Sequence, residues 1–272
     1  MAAGISAINN EIKVNGLGAY TVDDADSLIT VKDLDLNSFK SINKFCNDIT
    51  SNYSNSGSSD SKPIDFIVLN AGIMATENLE RTQEGFEKQI GVNHFGHAYL
   101  VSLLLPMLEK TTTPVRIVSV ASIAHTFTKN IDLTDLHYNN KKYDRWEAYG
   151  NSKLANILFA KGLAKNVKNK LITSVSLHPG VIKSNLWNRN SGLLGFAFNV
   201  VGSIIADKTI PQGAATQTFA CVAPRITNDD MRGAYLNNNE PVRPSKVAED
   251  DANVDGLWSE TFKQIDQVLA KQ

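Results

Sequence analysis

The chain has 272 residues, of which 42% are hydrophobic and 20% are charged, and its formal net charge at pH 7 is -1. This composition is typical of a globular protein with a large core, and the interspersed charges form no basic surface for nucleic acid or an anionic membrane. The only cysteines, Cys46 and Cys221, form no zinc or disulfide pattern, which favours a reducing compartment, and we expect the cytoplasm.

Short β-branched runs alternate along the chain with longer amphipathic stretches, a pattern typical of a parallel sheet covered by helices. The first predicted strand, SLITVKDLDL (27–36), precedes a helix over 37–51 that opens at an Asn or Ser cap. The apolar run IDFIVLN (64–70) predicts a strand buried on both faces. A long helix is then predicted from about Thr82 to Glu109.

The second half of the chain continues this alternation. VRIVSVAS (115–122) and ITSVSLHPG (172–180) predict two further buried strands, and the stretch 147–167 between them predicts a helix. Two more helices are expected around 212–223 and 256–270. The alternation therefore predicts an α/β fold with a Rossmann-like, doubly wound parallel sheet, whose ligands bind where the strands end.

We expect this fold to form a single domain over residues 1–272. The most apolar stretch, SGLLGFAFNVVGSIIA (191–206), contains Asn199 and Ser203 and is shorter than the roughly 20 residues that a membrane-spanning helix needs. We therefore predict a buried or lid-like segment here and no transmembrane segment.

Three residues suggest chemistry. Tyr149 and Lys153 are four residues apart in a predicted helix and so share one face, although this spacing alone is more typical of a solvated surface. Ser122 changes that weighing, because it closes a predicted strand at the edge where parallel sheets bind ligands. An ammonium lowers the pKa of a nearby phenol, and a serine hydroxyl can hold a substrate oxygen during proton transfer. The accompanying hydride transfer requires a nicotinamide cofactor.

Six motifs surround these residues in order. They are LDLNS (34–38), LNAGIM (69–74), GVNHFGHAYL (91–100), RIVSVASIAH (116–125), YGNSK (149–153) and HPGVIKS (178–184). In these motifs the sequence resembles the short-chain dehydrogenase/reductase family, and within it the branch of retinol dehydrogenases and WW-domain oxidoreductase-like proteins. The resemblance extends from about residue 25 to the end of the chain.

The resemblance implies a role for each catalytic candidate. Tyr149 would be the acid/base, Lys153 would lower its pKa and bind the nicotinamide ribose, and Ser122 would hold the substrate oxygen. Asn93 matches the asparagine that holds a proton-relay water near the lysine; the alternative is an ordinary polar group inside a helix. The implied substrate is a hydrophobic alcohol or carbonyl compound, and a homodimer through the tyrosine helix is a further expectation.

The resemblance also implies cofactor contacts, with NADP favoured over NAD. Asp35 would lie beside the adenine, or would instead cap the following helix. Four of the five histidines fall inside the family motifs as scaffold residues, and because the five share no metal-ligand spacing we assign them no catalytic role and expect no metal site. The remaining cofactor-binding positions are Asn70, Ala71 and Gly72 after one strand, Tyr149 and Lys153 on the helix, and Pro179, Gly180 and Val181 after another strand.

One family motif has no counterpart in the sequence. The family begins with a strand, a T-G-x-x-x-G-x-G turn and a helix that bind the cofactor pyrophosphate, and no such turn occurs here. We therefore predict that the first two strands are missing and that the domain is truncated at its N-terminus. The alternative function is then a non-catalytic fragment or interaction protein that cannot bind the pyrophosphate.

Overall fold

The computed structural model describes residues 30–53, 63–181 and 208–271. Contacts divide the chain into the units Met1–Leu34 and Asp35–Gln272, and all elements named below belong to the second. A single domain over the whole chain stays a prediction. The strands are β1 (Phe66–Leu69), β2 (Val115–Val120), β3 (Ile172–His178), β4 (Tyr235–Asn237) and β5 (Glu240–Pro241).

The helices lie before, between and after these strands. Short 3-10 turns cover Ile123–Phe127, Pro224–Thr227 and Asp229–Met231, and a π-helical segment covers Gly91–Phe95. The α-helices are α1 (Phe39–Asn52), α2 (Lys88–Ile90), α3 (Gly96–Leu108), α4 (Arg145–Asn166), α5 (Ile210–Val222), α6 (Lys246–Glu249) and α7 (Asp251–Leu269).

The five strands form one sheet in the order β1-β2-β3-β4-β5. The first four are parallel, and β5 returns antiparallel to β4. Leu69 pairs with Ser119, and Val120 pairs with Leu177, so β1, β2 and β3 end along one edge. This sheet confirms the predicted α/β class, and its parallel register brings the residues that follow the three strands together.

Helices pack on both faces of the sheet. On one face, α1, α3, α4 and α7 pack with β2 and β3 around a core that includes Phe39, Ile117 and Leu158. On the other face, α5 and the segment before β4 cover a smaller cluster around Val118 and Leu177. This arrangement is the doubly wound architecture expected from the alternation of strands and helices.

The predicted strand over 27–36 is wrong for the residues that the structure describes, because residues 30–36 contain no strand. The chain instead turns at Asp35, whose carboxylate accepts from Asn37 N and whose carbonyl accepts from Ser38 N. Ser38 then caps α1 by accepting from Ser41 N, as the predicted Asn or Ser cap required. Backbone N–H groups that would need a neighbouring strand as partner in a sheet are instead satisfied within this turn.

The helix predicted from Thr82 begins later, at Lys88. The residues before it form a turn closed by the hydrogen bond from Gly85 N to Thr82 O. The backbones of Arg81 and Glu87 pair in an antiparallel β-bridge on either side of this turn. The buried Glu87 carboxylate then caps the helix by accepting from the backbone N–H groups of its first turn. An internal cap of this kind fixes the helix start six residues after the predicted one.

The prediction that β1 is buried on both faces is also wrong. Phe66 is 45% exposed and Val68 is 41% exposed, whereas Leu69 is buried. Within the described residues, β1 pairs with β2 and has no strand on its other side, where the prediction placed two missing strands. The strand is therefore an edge strand with one open face.

The apolar segment 191–206 lies outside the described residues, so its predicted lid-like role stays a prediction. In the parts of the chain that the structure describes, no helix combines the length and the apolar character that crossing a bilayer requires.

Candidate active site

Three segments that follow adjacent strands form the candidate site. Asn70 follows β1, Ser122 follows β2, and Pro179 follows β3, all at the edge where these parallel strands end. Helix α4, which carries Tyr149 and Lys153, packs against β2, β3 and the 3-10 turn after Ser122. The fold thus brings the predicted catalytic groups to a common location.

Tyr149 and Lys153 are buried side by side on α4. Each is 6% exposed, and the Lys153 ammonium lies 5.7 Å from the centroid of the Tyr149 ring. Lys153 Nζ donates to the carbonyl of Val120, the last residue of β2, at 3.0 Å. Asn156, one turn further along, donates to the same carbonyl at 3.1 Å. The end of β2 is therefore tied directly to the helix that carries the tyrosine.

Burial dominates the protonation of this pair. It raises the pKa of Tyr149 to about 12, and a hydrogen bond with the Ser122 side chain lowers that pKa in part. Burial also lowers the pKa of Lys153 to about 8. In this geometry the Lys153 ammonium is directed at the Val120 carbonyl, and the expectation that it lowers the pKa of Tyr149 stays a prediction.

Ser122 stands at the junction of the strand and the 3-10 turn. Its backbone is extended, with φ -161 and ψ 159, and its hydroxyl accepts from Ala124 N at 3.2 Å. Ala124 packs with Met74, Ala75 and Tyr149 in a small apolar cluster. This packing places the turn that follows the serine directly against the tyrosine.

Asn93 lies in the π-helical segment and is fully buried. Its Oδ1 accepts from Ile73 N at 2.8 Å, and its Nδ2 donates to Ile73 O and to Ser152 Oγ, both at 2.9 Å. Its carbonyl oxygen accepts from His97 Nδ1 at 3.0 Å. Asn93 therefore joins the loop after β1 to α4, beside Lys153.

Gly72 brings that loop close to the same groups. A Cβ at this position would lie 2.8 Å from Asn93 Oδ1 and 3.6 Å from Lys153 Nζ. The absence of a side chain is thus required for the loop to approach the asparagine. Asn70 and Ala71, which precede it, complete the loop, and Asn70 Oδ1 accepts from Gln217 of α5 at 2.9 Å.

The loop after β3 contains Pro179, Gly180 and Val181. Gly180 has φ 94, in the left-handed region that favours glycine. Lys208 packs over this loop: its ammonium donates to Pro179 O at 3.4 Å and to Asn238 Oδ1 at 2.5 Å. No sequence pattern pointed to this lysine, because 29 residues separate it from Pro179.

Asp35 is not joined to this cluster. Among the described residues, its hydrogen bonds stay within the turn before α1, to Asn37, Ser38 and Ser41. The structure thus agrees with a local role at the start of the helix, while the adenine contact stays a prediction.

One large cleft lies apart from Tyr149. A cleft of about 970 Å³ lies between the C-terminal half of α4, β4 and the start of α7, and none of the predicted site residues lines it. Across the described segments, no group of three or more His, Cys, Asp and Glu side chains could hold a metal ion.

Comparisons with known proteins identify the family. A family model described as Enoyl-(Acyl carrier protein) reductase matches residues 21–205. Retinol dehydrogenase 13 of Homo sapiens is 34% identical over 241 residues, which are 87% of this chain and 69% of that protein. Short-chain dehydrogenase TIC 32 A, chloroplastic, of Brassica napus is 33% identical over 242 residues, covering 86% of this chain and 72% of that protein.

Solved structures agree in fold. An uncharacterized protein from Mycobacterium paratuberculosis superposes with a TM-score of 0.60 at 28% identity, covering 86% of this chain and 74% of the other. Carbonyl reductase Sniffer of D. melanogaster superposes with a TM-score of 0.54 at 21% identity, covering 80% and 79%. The chain belongs to the short-chain dehydrogenase/reductase family, in its retinol dehydrogenase-like branch.

Proposed function

We propose that this chain transfers a hydride between a nicotinamide cofactor and the alcohol or carbonyl group of a hydrophobic small molecule. The observation that carries the proposal is the meeting of Ser122, at the end of β2, with Tyr149 on α4, above a buried Lys153. Membership of the family supports NAD(P)-dependent hydride transfer as the reaction class.

In this mechanism Tyr149 is the general acid/base and Ser122 holds the substrate oxygen. With its pKa raised to about 12, the phenol is protonated at neutral pH, which is the form that donates a proton to a developing alkoxide. Ser122 can donate a hydrogen bond to the same oxygen and keep it within reach of the phenol.

The residues present fit a nicotinamide cofactor. Gly72 lets the loop after β1 pack closely against Asn93 and Lys153, and Gly180 turns the loop after β3 at the same edge of the sheet. Lys153 would hold the ribose hydroxyls, and the segments Asn70–Gly72 and Pro179–Val181 would line the cofactor. When bound, the cofactor supplies or accepts the hydride. We propose NADP, with NAD as the alternative, and a paired titration distinguishes them.

Apolar side chains around the serine support a hydrophobic substrate. Ile123 is 46% exposed and Phe127 is 56% exposed on the 3-10 turn that follows Ser122. Met74 and the partly buried Trp146 pack beside Tyr149. Exposed apolar groups beside a polar reaction centre are typical of a pocket for an apolar ligand.

The decisive experiment compares the wild-type chain with Tyr149→Phe. With NADPH or NADH and a panel of apolar aldehydes and ketones, including retinaldehyde, we expect the substitution to lower kcat by at least about a hundredfold. Cofactor binding, measured by the fluorescence of the reduced nicotinamide, should stay within a few-fold of wild type. Equal turnover by both proteins would exclude Tyr149 as the acid/base.

A second candidate is a non-catalytic interaction protein. The printed sequence contains no T-G-x-x-x-G-x-G turn, and β1 presents half-exposed Phe66 and Val68. A chain without this turn would lack the backbone groups that hold the pyrophosphate, and the half-exposed strand is the surface that would meet a partner. A folded, soluble 272-residue protein that leaves NADPH and NADH fluorescence unchanged at millimolar concentration would favour this candidate over the enzyme.

A further inference from the structure

His125, three residues after Ser122, is held between two backbone groups. Its Nδ1 lies 2.7 Å from Ser122 O, and its Nε2 lies 3.1 Å from Ser245 N. A carbonyl can only accept and a backbone N–H can only donate, so Nδ1 carries the proton and Nε2 is the acceptor. The two contacts therefore define one neutral tautomer of the imidazole.

The ring is enclosed on its remaining sides. His125 is 1% exposed, and its ring meets Tyr235 of β4 edge to face, with 5.0 Å between the centroids. Burial lowers the pKa of His125 below its ordinary value. The neutral ring thus connects the turn after Ser122 to the segment before α6 through two hydrogen bonds.

The first contact acts on the residue that carries the catalytic hydroxyl. The Ser122 carbonyl accepts both from the His125 ring and from His125 N, the latter at 3.1 Å. On its other side, the turn rests on α4: a Cβ on Gly150 would lie 2.9 Å from Ala124 O. The turn that begins at Ser122 therefore packs against α4 on one side and is hydrogen-bonded by the His125 ring through the Ser122 carbonyl.

The second contact connects this turn to a distant part of the chain. Ser245 is 120 residues from His125, and it forms the N-cap of α6 with its carbonyl accepting from Ala248 N. Its own hydroxyl has no hydrogen-bond partner among the described residues. Only the backbone of Ser245 therefore takes part in the connection.

We propose that His125 is a positioning residue that fixes Ser122 relative to Tyr149 and makes this placement depend on the backbone N–H of Ser245. The inference rests on the proposed function, because it assigns a purpose to the geometry of the same serine. It goes beyond that function by extending the determinants of the reaction to the segment between β5 and α6.

Ser245→Pro tests the connection without altering the histidine. The φ of Ser245 is -61, which proline adopts, while the missing N–H and the added ring carbon prevent the contact with Nε2. Ser245→Ala is the matched control, because it keeps the N–H and removes only the unpartnered hydroxyl. We expect Ser245→Pro to lower kcat about ten- to a hundredfold, since small misplacements of a reacting group have effects of this size.

Comparing the effects on kcat and KM separates a loss of positioning from a general disruption of the structure. The KM for the reduced cofactor should stay within about twofold of wild type in Ser245→Pro, and Ser245→Ala should match wild type in every constant. If Ser245→Pro does not fold, His125→Asn replaces it, because the shorter amide still reaches the Ser122 carbonyl and no longer reaches Ser245. Unchanged kcat in the folded variant would overturn the proposal.

Two NMR measurements do not depend on turnover. In ¹⁵N-histidine-labelled protein, His125 should show a protonated Nδ1 and an unprotonated Nε2, and the reverse tautomer would overturn the proposal. The Tyr149 ¹³Cζ resonance, assigned with Tyr149→Phe, should move in Ser245→Pro and stay in place in Ser245→Ala. If the wild type turns over no substrate while these shifts behave as expected, the proposed function fails and the positioning role of His125 stands; an unmoved Tyr149 resonance rejects that role.

Discussion

At the scale of single residues, the Asn93 amide links two segments of the chain beside the candidate active site. Its side chain exchanges two hydrogen bonds with the backbone of Ile73 and gives a third to Ser152, which in turn donates to Tyr149 O at 2.8 Å. An amide is required, because the same side chain must both accept and donate. Asn93 thus couples the loop after β1 to α4.

Asn93→Asp should therefore be strongly destabilising and dependent on pH. The carboxylate would be isosteric but would face the Ile73 carbonyl without a donor, so we expect a loss of about 3 kcal/mol in the free energy of unfolding when it is charged. Burial would raise the pKa of this carboxyl in the folded state above its unfolded value of about 4. The variant should therefore lose stability as the pH rises from about 4 to the folded-state pKa. Urea unfolding at pH 5 and pH 8 measures both effects.

Ser152→Ala is the control for this prediction. It removes the two hydrogen bonds that Ser152 Oγ makes with Asn93 Nδ2 and Tyr149 O and leaves Asn93 bound to Ile73, so it should cost about 2 kcal/mol at either pH. Equal stability of Asn93→Asp and the wild type at pH 8 would contradict the assignment of Asn93 as a buried joint.

At the scale of elements, local signals in the sequence predicted the helices that begin with a clear cap. Helix α1 starts after Ser38 as predicted, and α4 and α7 contain all but the last residue of the amphipathic stretches from which they were predicted. The start of α2 was missed, because Glu87 caps it within a turn that Arg81 closes from the other side. The exposure of β1 depends on its neighbours in the sheet, which its own residues do not encode.

The candidate site divides in the same way. Residue types and spacing were enough to single out Ser122, Tyr149 and Lys153, and the parallel register then explains why they meet. His125 and its partner Ser245 are 120 residues apart, so no local pattern could connect them. The sequence therefore predicts the chemical groups of a site better than the contacts that hold them in place.

Helix α7 covers the outer side of the tyrosine helix. Trp258 stacks on Phe159 with 5.8 Å between centroids, and Lys165 of α4 pairs with Asp255 of α7 at 2.6 Å. A Cβ on Gly162 would lie 2.5 Å from Trp258 Cε3. A homodimer through this helix stays a proposal, and it would have to use a part of α4 that α7 leaves free.

The close approach of the two helices predicts that Gly162→Ala destabilises the protein. The added methyl would overlap the indole ring, and overpacking of this kind costs about 1–3 kcal/mol. Trp258→Leu should remove the overlap, so the double variant should be more stable than the sum of the two single changes predicts. A double-mutant cycle by urea unfolding measures this coupling, and strict additivity would show that the two residues do not meet.

At the scale of the whole molecule, burial of histidines links folding to pH. Burial lowers the pKa of His94 from 6.5 to about 3 and that of His97 from 6.5 to about 4, and it also lowers those of His125 and His137. The unfolded chain therefore binds protons near pH 6 that the folded chain does not. Each such histidine contributes stability that is present above about pH 6.5 and is lost as pH falls.

We expect the free energy of unfolding to fall between pH 6.5 and pH 5 by up to about 1.4 kcal/mol per pH unit for each buried histidine. Buried Glu87, whose pKa is raised by burial, acts in the opposite direction and partly offsets this slope. His94→Gln isolates one contribution, because the amide can still reach Thr261 Oγ1, which lies 2.8 Å from His94 Nε2. Glu87 is common to both proteins and cancels in the difference, so the curve of the variant should be shallower by about one proton over this range. Parallel curves for the two proteins would mean that His94 is protonated in the folded state and would contradict the effect assigned to its burial against α7.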